Sequence, residues 1–240
     1  RNIAIIQDLQ GPKIRVGRLP EGGMAVKKGQ RVVLGKEIPF DYKPLAKEVK
    51  PGFTLFIDDG LIELRVESVN AAKTEIRCCV KVAGTIQSHK GINVPLAHLS
   101  APSLSEKDRR DIQFGLRHGV DFIALSFVME VKNVKDLRRL IVANARKLKK
   151  PAIATTPIIV KVEKHEAVDV MDAIIAEADG IMVARGDLAL EINQADVPLV
   201  QRELIERCRL GAKPVIVATE MLASMVASAR PTRAEISDVS

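Results

Sequence analysis

The sequence predicts an α/β chain: a parallel sheet covered by helices, interrupted by a small all-β insert. Two contrasts carry that prediction. From residue 105 onward, short and wholly apolar runs alternate with amphipathic stretches, the pattern of a parallel sheet buried on both faces. Residues 18–92 break this rhythm with short, half-polar runs separated by turn signals. A length of 240 residues allows one large domain, or one domain with a second inserted. A compact chain of that size buries roughly 70–75% of its unfolded surface, which is enough for a substantial core.

The elements follow in order. "RNIAIIQD" (1–8) is a strand-like run that stops at Asp8. The insert is entered after "GPKIRVG" and left through "SHKGINVP". Between them lie "QRVVLG", "FTLFIDDGLIELRVESV" and "KTEIRCCVKVAGTI", with turns at "PEGG", "KPG" and "DDG". Asp58 and Asp59 sit between two alternating runs, so they read as a hairpin turn and not as metal ligands. Ser105 followed by Asp108 has the spacing of a helix start, and Gly119 closes that helix. "DFIALSF" (121–127) is a strand. Val131, Val134, Leu137, Ile141 and Ala145 then share one helical face. "PIIVKVE" (157–163), a helix over "AVDVMDAIIAEA", "GIMVA" (180–184), a helix through "VPLVQRELIERCRLG" and "PVIVATE" (214–220) continue the alternation. Thr232 and Glu235 are spaced as a capping box opening a last helix. The chain starts inside a strand-like run, stops in mid-helix and has no initiator Met, so it reads as a piece of something longer.

Composition narrows the function classes. Apolar residues are 47% and charged residues 28%, as in a globular protein. No apolar stretch nears the ~18 residues of a membrane span, and Asp8 interrupts the first run before a signal-peptide core develops. Three cysteines, two of them adjacent, form neither a disulfide framework nor a metal spacing, which points to a reducing, cytoplasmic setting. The net charge of +7 suits an anionic partner. Nucleic acid is disfavoured because Trp is absent and aromatics total 3%, leaving few platforms for bases. Basic clusters such as "NARKLKK" fit the solvated C-terminal end of a helix, and a small phosphorylated substrate explains the remaining bias equally well.

The candidate chemistry sits where apolar runs stop. Asp8, Ser126, Lys161 with Glu163, Asp187, and Thr219 with Glu220 each follow or end such a run. In a β/α barrel all those ends lie on one face, where active sites are built. Lys161 and Glu163, two apart on a strand, point to the same side. Asp187 follows 24 residues after Glu163, about one strand–helix–strand unit, and so falls at the neighbouring strand end. Two carboxylates without His or Cys suit Mg²⁺. A buried Lys–Glu ion pair beside an unrelated Asp explains the spacing as well. Gly186 and Asp187 occupy the first turn of a helix, whose free N–H groups attract anions. The flanks "GIMVA" and "LALEI" are built for burial, which argues against an adhesive Arg-Gly-Asp loop. His89, His98, His118 and His165 share no spacing and read as ordinary surface residues.

At these residues the chain resembles the pyruvate kinase family. "DLQGPKIRVG", "SHKGINVP", "GVDFIALSFV", "IIVKVE", "DGIMVARGDL", "GAKPVIVATEML" and "ARPTRAEISDV" are similar to that family's blocks, in order and over essentially the whole chain. The resemblance implies a partial (β/α)8 TIM barrel with an inserted small all-β domain. Residues 1–17 would start the barrel at its third strand, 18–92 would form a lid, and 93–240 would continue the barrel through its seventh strand. It implies phosphoryl transfer from phosphoenolpyruvate to ADP, giving pyruvate and ATP, in a homotetramer. By position, Lys161 is similar to the lysine that stabilises the phosphoryl group in transit and the enolate, and Glu163 and Asp187 to the Mg²⁺ ligands. Gly186, Asp187 and Thr219 would hold substrate, with Thr219 or a water chain as proton donor. Arg15 and Lys90 would contact nucleotide phosphates. Asp8 matches a monovalent-cation ligand, but Leu9 stands where Thr is frequent and Lys13 where K⁺-dependent members carry Glu. An ammonium in place of the ion implies K⁺ independence. Met129, Ala189 and Glu220 depart from the family's Arg, Gly and Gln.

Two alternatives stay open. A Mg²⁺-dependent aldolase acting on pyruvate enolate shares the Lys–carboxylate–ion logic but leaves the lid, Arg15 and Lys90 without a role. An inactive scaffold is the other. Five strands of eight cannot close a barrel, so the 240-residue chain alone is expected to be inactive and poorly soluble.

Overall fold

A computed structural model describes residues 3–95, 97, 99–100, 102–219 and 221–240. The chain opens with β1 (Ile6–Asp8) and passes into the insert: β2 (Met24–Val26), β3 (Arg31–Leu34), α1 (Leu45–Glu48), β4 (Thr54–Ile57), β5 (Ile62–Val69), β6 (Ile76–Val82), β7 (Gly84–Ile86) and β8 (Ile92–Asn93). It continues through α2 (Glu106–His118), β9 (Phe122–Leu125), α3 (Val131–Leu148), β10 (Ile158–Val162), α4 (His165–Asp169), α5 (Met171–Glu177), β11 (Gly180–Ala184), α6 (Arg185–Glu191), α7 (Val197–Leu210), β12 (Val215–Ala218) and α8 (Arg233–Val239).

β1, β9, β10, β11 and β12 form one sheet in that order. Each neighbouring pair is parallel, with Asp8 level with Ala124, Val160 with Leu125 and Lys161 with Met182. Sequential strands lie side by side with helices between them, so this is the α/β partial barrel expected. The local signals act as read. Ser105 and Asp108 form a reciprocal capping box at α2, Gly119 closes it at φ 76°, and Thr232 and Glu235 cap α8 in the same way. The expected single helix over 167–178 is two, because Val170 takes φ −119°, ψ 26° between α4 and α5.

The named strands of the insert all pair antiparallel. β3, β6, β5, β4 and β8 make one sheet, and β2 pairs with β7. Its helical exception is the four-residue α1, whose Leu45 and Ala46 plug the sheet. The "DDG" segment is the β4–β5 hairpin turn, with Asp58, Asp59 and Gly60 all at positive φ.

Two separate apolar cores result. Leu9, Leu125, Val160, Val183 and Leu188 belong to the one under the parallel sheet. Leu55, Leu64 and Val80 belong to the other, and Ile14 and Val16 from the entry link and Val94 from the exit pack with them. The lobes touch at a seam. A Cβ at Gly60 would stand 2.8 Å from Leu190 of α6, so the hairpin tip rests on that helix. A cavity of about 40 Å³ lies along the seam, lined by Ile14, Ile92, Asn93, Met129, Lys164 and Glu191 among others. Among the described residues, no helix is long and apolar enough to cross a membrane.

Candidate active site

Lys161 is the centre of the cluster at the C-terminal ends of the parallel strands. Its ammonium lies 2.9 Å from Glu163 Oε1 and 3.2 Å from both oxygens of Asp8. It also donates to Ser126 Oγ at 3.0 Å. Burial lowers the ammonium's pKa, but Glu163 and Asp8 outweigh it and hold Lys161 above the ordinary lysine value, so the charge is fixed. Glu163 has a side chain only 1% exposed. Burial and then the like charge of Asp187 push its carboxyl above the ordinary range, while Lys161 and the Phe127 N–H oppose them. A carboxylate under that stress gains from a cation placed between it and Asp187.

Asp187 stands in the first turn of α6 and receives Lys13 Nζ at 3.4 Å; the same ammonium is 3.8 Å from Asp59 of the insert. Lys13 therefore turns to the Asp187 side of the cluster, while Asp8 is paired with Lys161. Glu163 already holds Lys161 through Oε1 and the Phe127 N–H, at 2.7 Å, through Oε2. Each carboxylate oxygen retains a second lone pair. With Asp187 they form a hard-oxygen donor set of the type Mg²⁺ takes.

Backbone strain collects around this group. Phe127 follows β9 at φ 54°, and Thr219 follows β12 at φ 71°. For a β-branched residue that conformation is an outlier, and such strain persists only where surrounding bonds enforce it. Here Arg185 grips the Thr219 carbonyl at 2.9 Å, and Thr219 Oγ1 accepts the Gly186 N–H at 3.0 Å. Arg185 also clamps Asp238 of α8 at 2.7 and 2.8 Å. The Arg of Arg-Gly-Asp is thus a buried brace, not an adhesive tip.

The structure gathers Asp8, Lys161, Glu163, Asp187, Gly186 and Thr219 at one end of the sheet. Arg15 and Lys90 are neighbours at the root of the insert, where the Val16 N–H donates to the Lys90 carbonyl at 2.8 Å. Arg15 donates to the His89 carbonyl and Lys90 pairs with Asp58 at 2.8 Å. Among the described residues, no hydrogen bond or ion pair joins either to the Lys161 group. Met129 donates its N–H to Asn133 and lines the seam cavity; Glu220 and His98 lie outside the described residues. Ser126, read from the sequence as a polar strand end, is the bridge between Lys161 and the Leu9 carbonyl. Sequence reading missed one thing. His165, read as an ordinary surface residue, faces Glu166 and Glu191; nothing in its spacing pointed there.

The family model described as pyruvate kinase, barrel domain, matches residues 1–240. A pyruvate kinase of Agrobacterium vitis is 47% identical over 99% of this chain and 49% of its own length. Pyruvate kinase 2 of a Synechocystis strain is 42% identical over 99% of this chain and 40% of its own. The crystal structure of a pyruvate kinase from Cryptosporidium parvum superposes with a TM-score of 0.87 at 38% identity, covering 98% of this chain and 49% of that one. The chain spans about half the length, or less, of the relatives it matches.

Proposed function

Since the chain belongs to the pyruvate kinase barrel-domain family, we propose that the protein carrying it transfers a phosphoryl group from phosphoenolpyruvate to ADP. The observation that carries this reading is a fixed ammonium, Lys161, set against two carboxylates, Glu163 and Asp187, at the rim of one parallel sheet. Phosphoryl transfer asks chiefly for positioning and charge stabilisation. Lys161 supplies positive charge to the phosphoryl group in transit and to the enolate left behind. Asp8 and Ser126 hold it in place. Mg²⁺, when bound by Glu163 and Asp187, neutralises phosphate oxygens. The N–H groups of Gly186 and Asp187 receive the substrate carboxylate, which displaces Thr219 Oγ1 from Gly186. Thr219 or a water chain delivers the proton to the enolate. Arg15 and Lys90 reach nucleotide phosphates when the insert closes, which requires Lys90 to leave Asp58. Lys13 contributes a built-in positive charge beside Asp187, and the protein works without K⁺. The reading extends to a cytoplasmic homotetramer, and the free cysteines suit a reducing compartment.

A coupled pyruvate assay tests it. Turnover should require ADP and Mg²⁺, ignore K⁺, and fall on the order of 10²–10³ in Lys161→Met, the scale of losing one transition-state donor. Pyruvate release without ADP favours the aldolase reading; severalfold stimulation by K⁺ removes the role given to Lys13.

A further inference from the structure

One turn beyond Asp187 on α6 stands Glu191, on the same helix face. Its side chain is 2% exposed, and its Oε1 pairs with Lys164 Nζ at 2.8 Å. The other oxygen, Oε2, is buried and, among the described residues, no hydrogen bond reaches it. His165 Nδ1 lies 3.6 Å from that oxygen and 3.2 Å from Glu166 Oε2. Both of those atoms are also buried without a hydrogen-bond partner. One ligand atom from each of the three residues falls within 4.8 Å of the others.

Three buried donor atoms without a hydrogen-bond partner, from three side chains and within 4.8 Å of one another, are a ligand set for a cation. We propose that His165 Nδ1, Glu166 Oε2 and Glu191 Oε2 bind a divalent transition metal of the Zn²⁺ class, at a site separate from Glu163 and Asp187. The distances suit that ion. Bonds of ~2.0–2.2 Å in a tetrahedron put neighbouring ligand atoms about 3.3–3.6 Å apart, and the two separations involving His165 are 3.2 and 3.6 Å. An imidazole nitrogen among the ligands selects Zn²⁺, Co²⁺ or Ni²⁺ over Mg²⁺. Three protein ligands leave a fourth position for water. Lys164 holds Glu191 by its outer oxygen, which fixes the inner one, and supporting bonds of that kind normally tune a metal site. Two carboxylates against one ammonium leave a formal −1 to meet the ion. The site would tie the start of α4, just after Glu163, to the end of α6, which begins beside Asp187.

The test is titration of the chelator-stripped purified protein with Co²⁺ in excess Mg²⁺, so that the Glu163–Asp187 pair is already occupied. The expected result is one saturable equivalent with a four-coordinate nitrogen–oxygen visible spectrum and no thiolate charge-transfer band. Zn²⁺ should displace it. His165→Ala should weaken binding at least tenfold, and Glu191→Gln should do the same. His165 is half-exposed, so its variant folds and carries the test if burying an amide beside Lys164 damages Glu191→Gln. Failure to saturate, a thiolate band, or unchanged affinity in His165→Ala overturns the proposal and leaves a histidine between two glutamates as an ion-pair cluster. None of these readouts depends on phosphoryl transfer.

Discussion

β10 and β6 show how differently the two lobes treat charge. β10 buries residues on both faces, so the one cation it carries, Lys161, is only 14% exposed and must be paired. β6 alternates buried and exposed residues, and Arg77 and Lys81 simply face water. The lesson is where chemistry can be read. In the parallel sheet a polar side chain is either at a strand end or compensated, so its presence is informative. On the insert's outer face a charge says little. The informative insert charges are those at its root and tip, Lys90, Asp58 and Asp59, because they turn toward the other lobe or toward one another.

The separateness of the two cores can be broken by deletion. Leu125→Ala under the parallel sheet and Leu64→Ala in the insert each empty a fully buried site and should cost about 2–5 kcal/mol. Hydrogen exchange should rise in the substituted lobe and hold in the other; equal deprotection of both lobes by either change would mean one cooperative core.

The contrast in charge is sharpened by metal. Mg²⁺ at 100 times its dissociation constant should stabilise the protein by about 2.7 kcal/mol, and Asp187→Asn should abolish the gain. The raised Glu163 pKa sets the sign with pH. Its protonated form stabilises the metal-free fold below the ordinary carboxylate pKa, and that contribution is lost as pH rises through the higher folded value. The Mg²⁺ gain should therefore grow over the same rise, measured by thermal unfolding with and without the ion. A pH-independent gain would place Mg²⁺ elsewhere.

The smallest effect concerns an exposed carboxylate. Glu235 accepts from Ser224 Oγ and from the N–H groups of Ser224 and Thr232, and these bonds hold its pKa down at about 2 against an ordinary 4.5. Its contribution is complete above 4.5 and disappears as pH falls from there through about 2. Glu235→Gln should flatten the acid limb of the unfolding profile; an unchanged limb removes this bond set from the account.

Much of this was legible beforehand because local physics settles it. Ser105 with Asp108 and Thr232 with Glu235 announce helix starts by spacing alone, and "GIMVA" is β11 residue for residue. Lys161 and Glu163 meet because a strand turns every second side chain to one side. Other features depend on partners remote in sequence. Arg15 and Lys90 share the insert's root, but their side chains are engaged there by His89 and Asp58. The positive φ of Thr219 needs Arg185, itself anchored by Asp238.

The sequence by itself determined the elements, their alternation and the strand ends that hold polar groups, since periodicity, capping and turn chemistry act over a few residues. Tertiary structure alone decided that Lys13 turns to Asp187, that Asp8 goes to Lys161 and that His165 faces two glutamates. Which charges share a small volume depends on how strands and lobes are stacked, and chain spacing does not encode the direction in which a side chain leaves its backbone at a bend.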